Sequence, residues 1–220
     1  MPYSIIVPIH NEERHLHSLL NSLKAYSPNN EILIVDDGST DNSLKIIGNH
    51  SFIKLIKLNQ NSGKGIAVRE GLEQAFNDKV IILDGDMEIN PNEIKSLMKL
   101  DKKKGMNCIF GSRFEKINPF SSLWDFGNFI FTLIFNIFIG GKNKDVLCCF
   151  KSFFRSDLNI EQLRSQKFDI DVELTAKLVK KHANISTVKV SYKRRNKKQG
   201  KKLKFIDGWY ILKRILVHIV

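Results

Sequence analysis

Short runs of β-branched and other apolar residues alternate, through the first half of the chain, with stretches whose apolar residues recur every three or four positions. The first pattern is typical of buried strands and the second of helices that pack through one face. Strands that alternate with helices in this way predict an α/β fold with a parallel sheet flanked by helices. The predicted strands are 4–9, 31–36, 52–58, 79–84 and 107–111, and the predicted helices are 13–26, 41–48, 63–76 and 92–103.

The pattern changes after residue 116. An aromatic stretch runs from Phe120 to Phe138, and a helical pattern over 169–181 and a strand pattern over 185–192 follow it. With 220 residues and 42% hydrophobic residues, the chain can bury the core of one domain, which we expect over 1–220. The last segment predicts a C-terminal amphipathic helix from the spacing of its apolar residues, which are Phe205, Trp209, Leu212, Leu216 and Ile219.

The net charge of +12 indicates an anionic partner, and nucleic acid, acidic lipid surfaces and phosphorylated substrates all qualify. Three cysteines, of which Cys148 and Cys149 are adjacent, fit neither a disulfide framework nor a zinc spacing, so we expect a reducing, cytoplasmic location. The start of the chain lacks the basic and apolar regions of a secretory signal, so we expect none. The longest apolar run, 129–139, is shorter than the roughly 20 residues that span a bilayer, which argues against a transmembrane helix.

Acidic residues follow predicted strands at their carboxyl ends, where ligands bind in doubly wound sheets. Asp84 and Asp86 flank Gly85, and a glycine lets such a turn tighten until two carboxylates face one hard cation, Mg²⁺ or Mn²⁺, with diphosphate oxygens completing its shell. A solvated turn is the alternative, because Asp-X-Asp tripeptides are common.

Another strand ends in Asp36 and Asp37. Capping of the next helix explains residues 39–41, but it does not explain two neighbouring carboxylates that close an apolar strand. Such a pair repels unless it faces water, a cation or ligand hydroxyls, and a ribose or a base would meet that need.

Five segments follow one another along the chain: Val7-Pro-Ile-His-Asn-Glu12, Ile34-Val-Asp-Asp-Gly-Ser-Thr-Asp41, Asn61-Ser-Gly-Lys-Gly-Ile-Ala-Val-Arg-Glu-Gly71, Asp84-Gly-Asp86 and Gly111-Ser-Arg-Phe114. In this order they resemble the motifs of family 2 glycosyltransferases with the GT-A fold, in particular the dolichyl-phosphate mannose and glucose synthases. The resemblance covers nearly all of 3–210 and implies a Rossmann-like GT-A fold with a mixed, mainly parallel sheet flanked by helices. It also implies a nucleotide-sugar-binding half over 1–115 and an acceptor- or membrane-facing half over 116–220.

The resemblance also implies roles for individual residues. Asp84 and Asp86 would hold the metal and the diphosphate of a donor such as GDP-mannose or UDP-glucose, and Arg113 would hold the donor or acceptor phosphate. The nucleotide would lie against Pro8, Glu12, Val35 and Asp37, with His10, Lys64 and Gly85 as further candidate donor contacts.

The second half extends the resemblance. Residues 145–151 are similar to the family's Asp-x-x-x-Gly-Phe segment with Cys149 in place of the glycine, and 168–173 are similar to its Phe-Asp-Val-Glu segment. The basic loop 193–204 holds eight Lys or Arg and no acidic residue. It resembles the mobile family loop that closes over the donor diphosphate, with Arg195 and Lys202 as the matching cations, although Lys201 replaces a serine and the spacing is one residue longer. Cations suit a leaving group that gains negative charge; a basic loop without specific contacts is the alternative.

The acceptor decides which catalytic groups are needed. A polyprenyl phosphate has a second pKa near ~6, so it can attack the anomeric carbon with inversion and without a general base. A saccharide hydroxyl would need a carboxylate base, for which Asp171 and Glu173 are candidates. The candidate catalytic residues are therefore Asp86, Arg113, Asp171 and Glu173, and the polyprenyl phosphate is the preferred acceptor.

The aromatic stretch and the basic C-terminal segment indicate peripheral docking on the cytoplasmic face of a membrane, with a membrane-protein partner as an option; core packing is the rival interpretation. A nucleic-acid-binding module would explain the charge and the aromatic residues. It would not explain the acidic strand ends, which repel phosphodiesters, so we expect no nucleic-acid partner. A nucleotide-sugar-binding protein without activity remains a further alternative.

Overall fold

The computed structural model describes residues 1–114, 118, 120–182, 185–195, 200, 202 and 205–218. Seven strands within these ranges form one sheet. They are β1 (Tyr3–Ile9), β2 (Glu31–Asp36), β3 (Ile53–Lys57), β4 (Lys79–Ile82), β5 (Cys108–Ser112), β6 (Lys151–Phe154) and β7 (Ser186–Lys189), and their order in the sheet is β3-β2-β1-β4-β6-β5-β7.

The predicted mixed, mainly parallel sheet is confirmed. β1 pairs in parallel with both β2 and β4, whereas β6 is antiparallel to β4 and to β5. The sequence analysis missed β6, because all four of its residues are buried and they show neither alternation nor an unbroken apolar run. Its first residue, Lys151, is fully buried.

The described residues also form seven α-helices around the sheet: α1 (Glu13–Lys24), α2 (Ser43–Ile47), α3 (Lys64–Gln74), α4 (Ile94–Leu97), α5 (Leu123–Phe138), α6 (Ile170–Lys181) and α7 (Phe205–Val217). The predicted helix over 92–103 is wrong in its extent. A 3₁₀ turn at Pro91–Glu93 leads into α4, which ends at Leu97, and a second turn at Lys102–Lys104 follows it. That second turn closes at Gly105, whose φ of 69° is the left-handed conformation that glycine adopts without cost.

Alternating side chains of the strands fill two cores, one on each face of the sheet. Ile5 and Val7 of β1 pack against α1, whereas Ile6 points toward the opposite core with α3 and α6. Helix α3 lies close to β1, since a Cβ on Gly71 would come within 2.4 Å of Ile6 Cγ2. Because β1 pairs in parallel with β2 and β4, the carboxyl ends of these three strands meet at one edge of the sheet.

A third, smaller core joins α5, α6 and α7 beside the sheet. Phe135 of α5 is fully buried there, together with Val172 of α6 and Ile215 of α7. Several large apolar side chains of α5 and α7 point instead to solvent. Among the described segments, no helix combines the length and the apolar content needed to cross a bilayer.

Candidate functional site

The loops that follow β1 and β2 are tied together at the carboxyl edge of the sheet. The backbone N–H of Asn11 donates to Ser39 Oγ at 2.9 Å, and Asn11 Oδ1 accepts from the N–H of Thr40 at 2.7 Å. Asn11 adopts a φ of 50°, a conformation that asparagine tolerates better than most residues. These bonds fix the position of the acidic residues that follow both strands.

Asp37, a candidate nucleotide ligand, is buried and held by backbone amides. Its carboxylate accepts from the N–H of Ser62 at 2.6 Å and from the N–H of Gly63 at 2.9 Å, while its carbonyl contacts His10 Nδ1 at 2.7 Å. Neighbouring Asp36 accepts from the N–H of Ser39 through Oδ2. Asp36 Oδ1 is buried and has no hydrogen-bond partner in the described part of the chain.

Three other candidate donor contacts lie in the same edge of the sheet. Pro8 and Val35 face each other across β1 and β2, and the Val35 side chain is fully buried, so it can support a nucleotide only from beneath. Close packing favours glycine at position 85, because a Cβ there would come within 2.4 Å of Ile9 Cγ2.

An arginine from the C-terminal half occupies the centre of the acidic edge. Arg195 Nη1 lies 2.8 Å from Glu12 Oε2, and its Nη2 lies 3.1 Å from Asp86 Oδ2. The N–H of Arg195 donates to Glu88 Oε1 at 2.8 Å. Lys202 Nζ also contacts Glu12 and the carbonyl of His10. The sequence predicted that Arg195 and Lys202 bind the donor diphosphate; in the structure both contact acidic residues of the sheet edge, and that role stays a prediction. Residues 196–199, 201, 203 and 204 of the basic loop lie outside the described residues.

The buried carboxylates of this cluster repel one another. Burial, together with the negative charges of Asp84 and Glu88, raises the pKa of Asp86 to about 7, even though Arg195 opposes the shift. The residue between the carboxylates, Met87, has a φ of 59°, and strain of this kind concentrates at functional sites. Sequence reasoning missed Glu88, although Asp84, Asp86 and Glu88 recur at every second position.

A buried lysine bridges two further predicted site residues. Lys64 Nζ lies 2.9 Å from Asp84 Oδ1 and 2.9 Å from Asp171 Oδ2. Burial alone would lower the pKa of Lys64, but the charges of Asp171 and Asp84 raise it well above its usual value. The sequence suggested donor contact for Lys64 and base catalysis for Asp171; in the structure the two side chains pair with each other, and both roles stay predictions.

The Cys149 thiol lies beside this bridge, where burial and then the charge of Asp84 raise its pKa well above the usual range. The thiol is therefore protonated and carries no charge. Its small side chain suits a position where the resembling family has glycine. A buried apolar-like thiol of this kind is chemically inert.

Arg113 lies in the wall of the same site, already paired. Its Nε and Nη2 form a fork with Asp145 at 2.7 and 2.8 Å, and its guanidinium lies 5.2 Å from the centre of the Tyr192 ring. Lys151 Nζ holds the following loop through the carbonyls of Val146, at 3.3 Å, and Cys148. The sequence did not identify Asp145 or Lys151 as positioning groups, because Asp145 acts through Arg113, 32 positions away, and Lys151 acts on backbone carbonyls, which carry no sequence signal.

Glu173 is not brought to the cluster. Its carboxylate is buried and accepts from the N–H of Arg164 at 3.0 Å and from the N–H of Ser165 at 2.7 Å. Asp171 and Glu173 are two positions apart on α6, which places them on different sides of the helix. The described contacts of Glu173 therefore order a loop and do not face the acidic edge of the sheet.

A cavity of about 40 Å³ opens between Asp84, Asp86, Glu88, Arg113 and Tyr192. Asp84 holds Lys64 through both oxygens, at 2.9 and 3.0 Å, while Asp86 contacts Arg195 through Oδ2 and accepts from the N–H of Glu88 through Oδ1, so each carboxylate would exchange a present partner for a divalent ion. No group of three or more His, Cys, Asp or Glu in the described ranges could hold a metal by itself. The donor set of hard oxygens fits Mg²⁺ or Mn²⁺ when the phosphates of a donor complete the shell.

Comparisons with known proteins identify the family. The model of "Glycosyl transferase family 2" matches residues 4–160. An undecaprenyl-phosphate 4-deoxy-4-formamido-L-arabinose transferase of Proteus mirabilis is 38% identical over an alignment of 104 residues that covers 43% of this chain and 32% of the relative. A dolichyl-phosphate beta-glucosyltransferase of Dictyostelium discoideum is 29% identical over an alignment of 216 residues that covers 86% of this chain and 65% of the relative. The chain thus spans 32% and 65% of the length of these two relatives.

Solved structures confirm the GT-A fold. Glucosyl-3-phosphoglycerate synthase of Mycobacterium tuberculosis in complex with phosphoglyceric acid matches with a TM-score of 0.77 at 16% identity, over 99% of this chain and 80% of the other. The complex of that enzyme with Mn²⁺, uridine diphosphate and phosphoglyceric acid matches with a TM-score of 0.73 at 17% identity, over 99% and 78% of the two chains. Identity this low supports the fold alone.

Proposed function

The chain belongs to glycosyl transferase family 2, and from this premise we propose that it transfers a hexose, with inversion, from a nucleoside diphosphate sugar to a polyprenyl phosphate. The observation that carries the proposal is the acidic edge of the sheet, where Glu12, Asp86 and Glu88 surround the guanidinium of Arg195. Buried carboxylates held around a single cation suit a metal-bound diphosphate, which brings both the cation and a chain of oxygens.

The donor would lie across the carboxyl ends of β1, β2 and β4. The nucleoside would lie beside Asp36, which ends β2, and Asp37, whose carboxylate is held by two amide N–H groups. Asp86 would hold a divalent ion, Mg²⁺ or Mn²⁺, which supplies charge stabilisation to the departing diphosphate. Arg195 and Lys202 would then move from Glu12 to the phosphates, where their charge is needed during bond cleavage.

The state of the candidate bases favours an acceptor that is already ionised. Asp171 is bound to Lys64, and Glu173 accepts two amide hydrogens in a loop. A phosphate acceptor needs no proton removal, because its second pKa lies near ~6. The names of the two relatives, which include undecaprenyl phosphate and dolichyl phosphate, also support this acceptor class. Arg113, in the cavity wall, would orient the phosphate of donor or acceptor.

The exposed apolar surface of α5 supports work at a membrane, on its cytoplasmic face. Leu123 and Ile137 are 68% and 66% exposed, and Phe138 is 56% exposed. Polyprenyl chains lie in the bilayer, so an enzyme that uses them needs a surface of this kind. Core packing, the rival explanation of the aromatic stretch, holds for Phe135 but not for these three side chains.

Transfer of radiolabelled sugar tests the proposal directly. The purified chain is incubated with GDP-mannose or UDP-glucose, Mn²⁺, and either polyprenyl phosphate or the matching polyprenol, and products are separated by chromatography. We expect product only with the phosphate. Asp86→Asn should abolish transfer, whereas Glu173→Gln, if folded, should keep substantial turnover. Transfer to saccharide hydroxyls that Glu173→Gln or Asp171→Asn eliminates, with donor binding intact, would refute the phosphate acceptor in favour of the hydroxyl one.

A further inference from the structure

A second concave site lies apart from the acidic edge, between the segment that precedes α6 and the outer side of α7. Its volume is about 410 Å³, and it shares no lining residue with the cavity beside Asp86. We call it the basic groove. Its charged and aromatic lining comes from Arg164, Lys167, Asp169, Tyr210, Lys213 and Arg214.

Cations outnumber acids four to one along the basic groove. The single carboxylate, Asp169, is already matched, because Arg214 Nη2 lies 2.9 Å from its Oδ2 and Arg214 Nε lies 3.0 Å from the same atom. The two walls are joined by Lys167 Nζ, which lies 4.4 Å from the centre of the Tyr210 ring. A concave surface with an excess of one charge concentrates ions of the opposite sign, so the groove favours an anion.

The groove borders an apolar face that solvent reaches. Ile206, Trp209, Leu216 and Val217 of α7 are 57%, 65%, 52% and 55% exposed. These positions recur at helical spacing, and Tyr210 and Lys213 of the groove lie on the same face. The opposite face of α7 is also apolar and is buried through Ile211 and Ile215. Core packing is thus satisfied without the exposed face, which is left for a partner.

We propose that the basic groove binds the phosphate headgroup of an anionic membrane lipid while the exposed face of α7 enters the boundary between headgroups and acyl chains. The charge of the groove complements the phosphate, and Trp209 has the amphipathic ring that favours this boundary. A nucleic acid would satisfy the cations but would leave the aliphatic side chains in water. The inference rests on the proposed work at a membrane surface, but the headgroup is a ligand distinct from the acceptor.

The position of the groove gives the contact a consequence for the acidic edge. The segment that forms one wall packs with its other side on the start of α3, where a Cβ on Gly63 would come within 2.3 Å of the Gln166 carbonyl oxygen. The next residue, Lys64, holds Asp84 and Asp171. A headgroup in the groove therefore sets the orientation of the donor site relative to the membrane.

Vesicle flotation tests this inference with the full chain. Vesicles of phosphatidylcholine alone are compared with vesicles that also contain phosphatidylglycerol, for the unmodified chain and for Lys167→Glu/Lys213→Glu. A matched control is Lys103→Glu/Lys104→Glu, which makes the same charge change at two exposed lysines that do not line the groove. Each basic residue near an anionic surface strengthens binding about fivefold, so loss of two such charges should weaken binding to the anionic vesicles about thirtyfold, and their reversal by more. The control should lose less than roughly threefold, because its lysines do not line the groove.

Entry of α7 into the bilayer is tested by fluorescence in a Trp124→Phe background, in which Trp209 is the only tryptophan. Its emission should shift to the blue on anionic vesicles. Equal losses in the groove and control variants would refute the groove, as would an unshifted emission. Equally groove-dependent binding of soluble glycerol phosphate, or of a single-stranded RNA, would also overturn the assignment to a membrane lipid.

A transfer assay in detergent, with polyprenyl phosphate as acceptor, separates this inference from the proposed function. Lys167→Glu/Lys213→Glu should keep the transfer rate of the unmodified chain there, because neither lysine lies at the acidic edge. Groove-dependent vesicle binding without any transfer would refute the function and leave the lipid site standing. Normal transfer together with vesicle binding that does not depend on the groove would support the function and refute the lipid site.

Discussion

Replacement of Lys64 by methionine should destabilise the protein strongly. The side chain of Lys64 is 9% exposed and lies between Asp84 and Asp171, whose side chains are 28% and 6% exposed. Removing one partner of a buried ion pair costs about 3–5 kcal/mol, because the other charge stays buried without compensation. Proton uptake by the carboxylates and the partial exposure of Asp84 limit the loss, so we expect about 3 kcal/mol. A domain of this size loses about 2–4 °C in Tm per kcal/mol, so Tm should fall by about 6–12 °C.

Urea unfolding at neutral pH, followed by circular dichroism, measures the effect. Lys54→Met is the matched control, since Lys54 is 46% exposed and lies 3.8 Å from Glu31, and an exposed pair of this kind contributes at most about 1 kcal/mol. The double variant Lys64→Met/Asp171→Asn should recover about 1–2 kcal/mol, because one of the two uncompensated charges is gone. A loss of less than about 1 kcal/mol in Lys64→Met, or no recovery in the double variant, would show that the bridge does not neutralise a buried pair.

Four further outcomes follow from the structure. Arg195→Gln removes the cation that faces Asp86, so Mn²⁺ should bind several-fold more tightly in calorimetry without donor; weaker binding would contradict the geometry. Burial would raise the pKa of Asp125, but hydrogen bonds from Arg194 and from the Ser122 and Ser121 hydroxyls lower it overall. The ionised carboxylate therefore stabilises the fold above the unfolded pKa near ~3.9, and this stabilisation is lost as pH falls through the lower folded pKa. The stability difference between the unmodified chain and Asp125→Asn, about 1.5–3 kcal/mol by urea titration at neutral pH, should thus shrink below about pH 4; a difference that does not depend on pH would be contrary evidence. Gly71→Ala should lose about 1–3 kcal/mol by overpacking Ile6, whereas Gly127→Ala, with no atom within 4 Å of the added carbon, should be neutral or stabilising in a Tm measurement. Asp86→Asn should lose Mn²⁺-dependent binding of uridine diphosphate in calorimetry, and unchanged binding would exclude Asp86 as the metal ligand.

The strand and helix order of the first half was predictable because each element carries its own period. β1 and β2 are short apolar runs, and α1 buries Leu16, Leu19 and Leu23 on one side, which is the spacing that identifies a helix. The boundaries of β6 and α4 were not predictable in the same way. β6 begins with a buried lysine, and α4 is short and continuous with a 3₁₀ turn, so neither shows a complete period.

The acidic edge followed from sequence for a similar reason, since the carboxyl ends of neighbouring parallel strands must meet. The side chains that pair with these acidic residues could not be predicted from the sequence. Lys64 and Asp171 are 107 positions apart, and Arg195 and Glu12 are 183 apart, so only the folded sheet brings them together. Glu173 was a reasonable candidate base by composition, and only the hydrogen bonds to the loop at Arg164 and Ser165 show what its carboxylate does.

The buried pairs also change how the net charge of +12 must be understood. Lys64 and Arg113 neutralise carboxylates inside the site, and Arg195 does so between Glu12 and Asp86. The net charge of +12 already includes the carboxylates that pair with these cations. Each internal pair therefore adds no net charge to the protein surface. The surplus that attracts an external partner must come from exposed lysines and arginines, and the basic groove gathers several of them beside an exposed apolar helix face. A duplex or single-stranded nucleic acid needs charge spread along a polar surface. Charge concentrated next to exposed tryptophan, leucine and valine suits a lipid surface better, because there both parts of the patch leave water favourably.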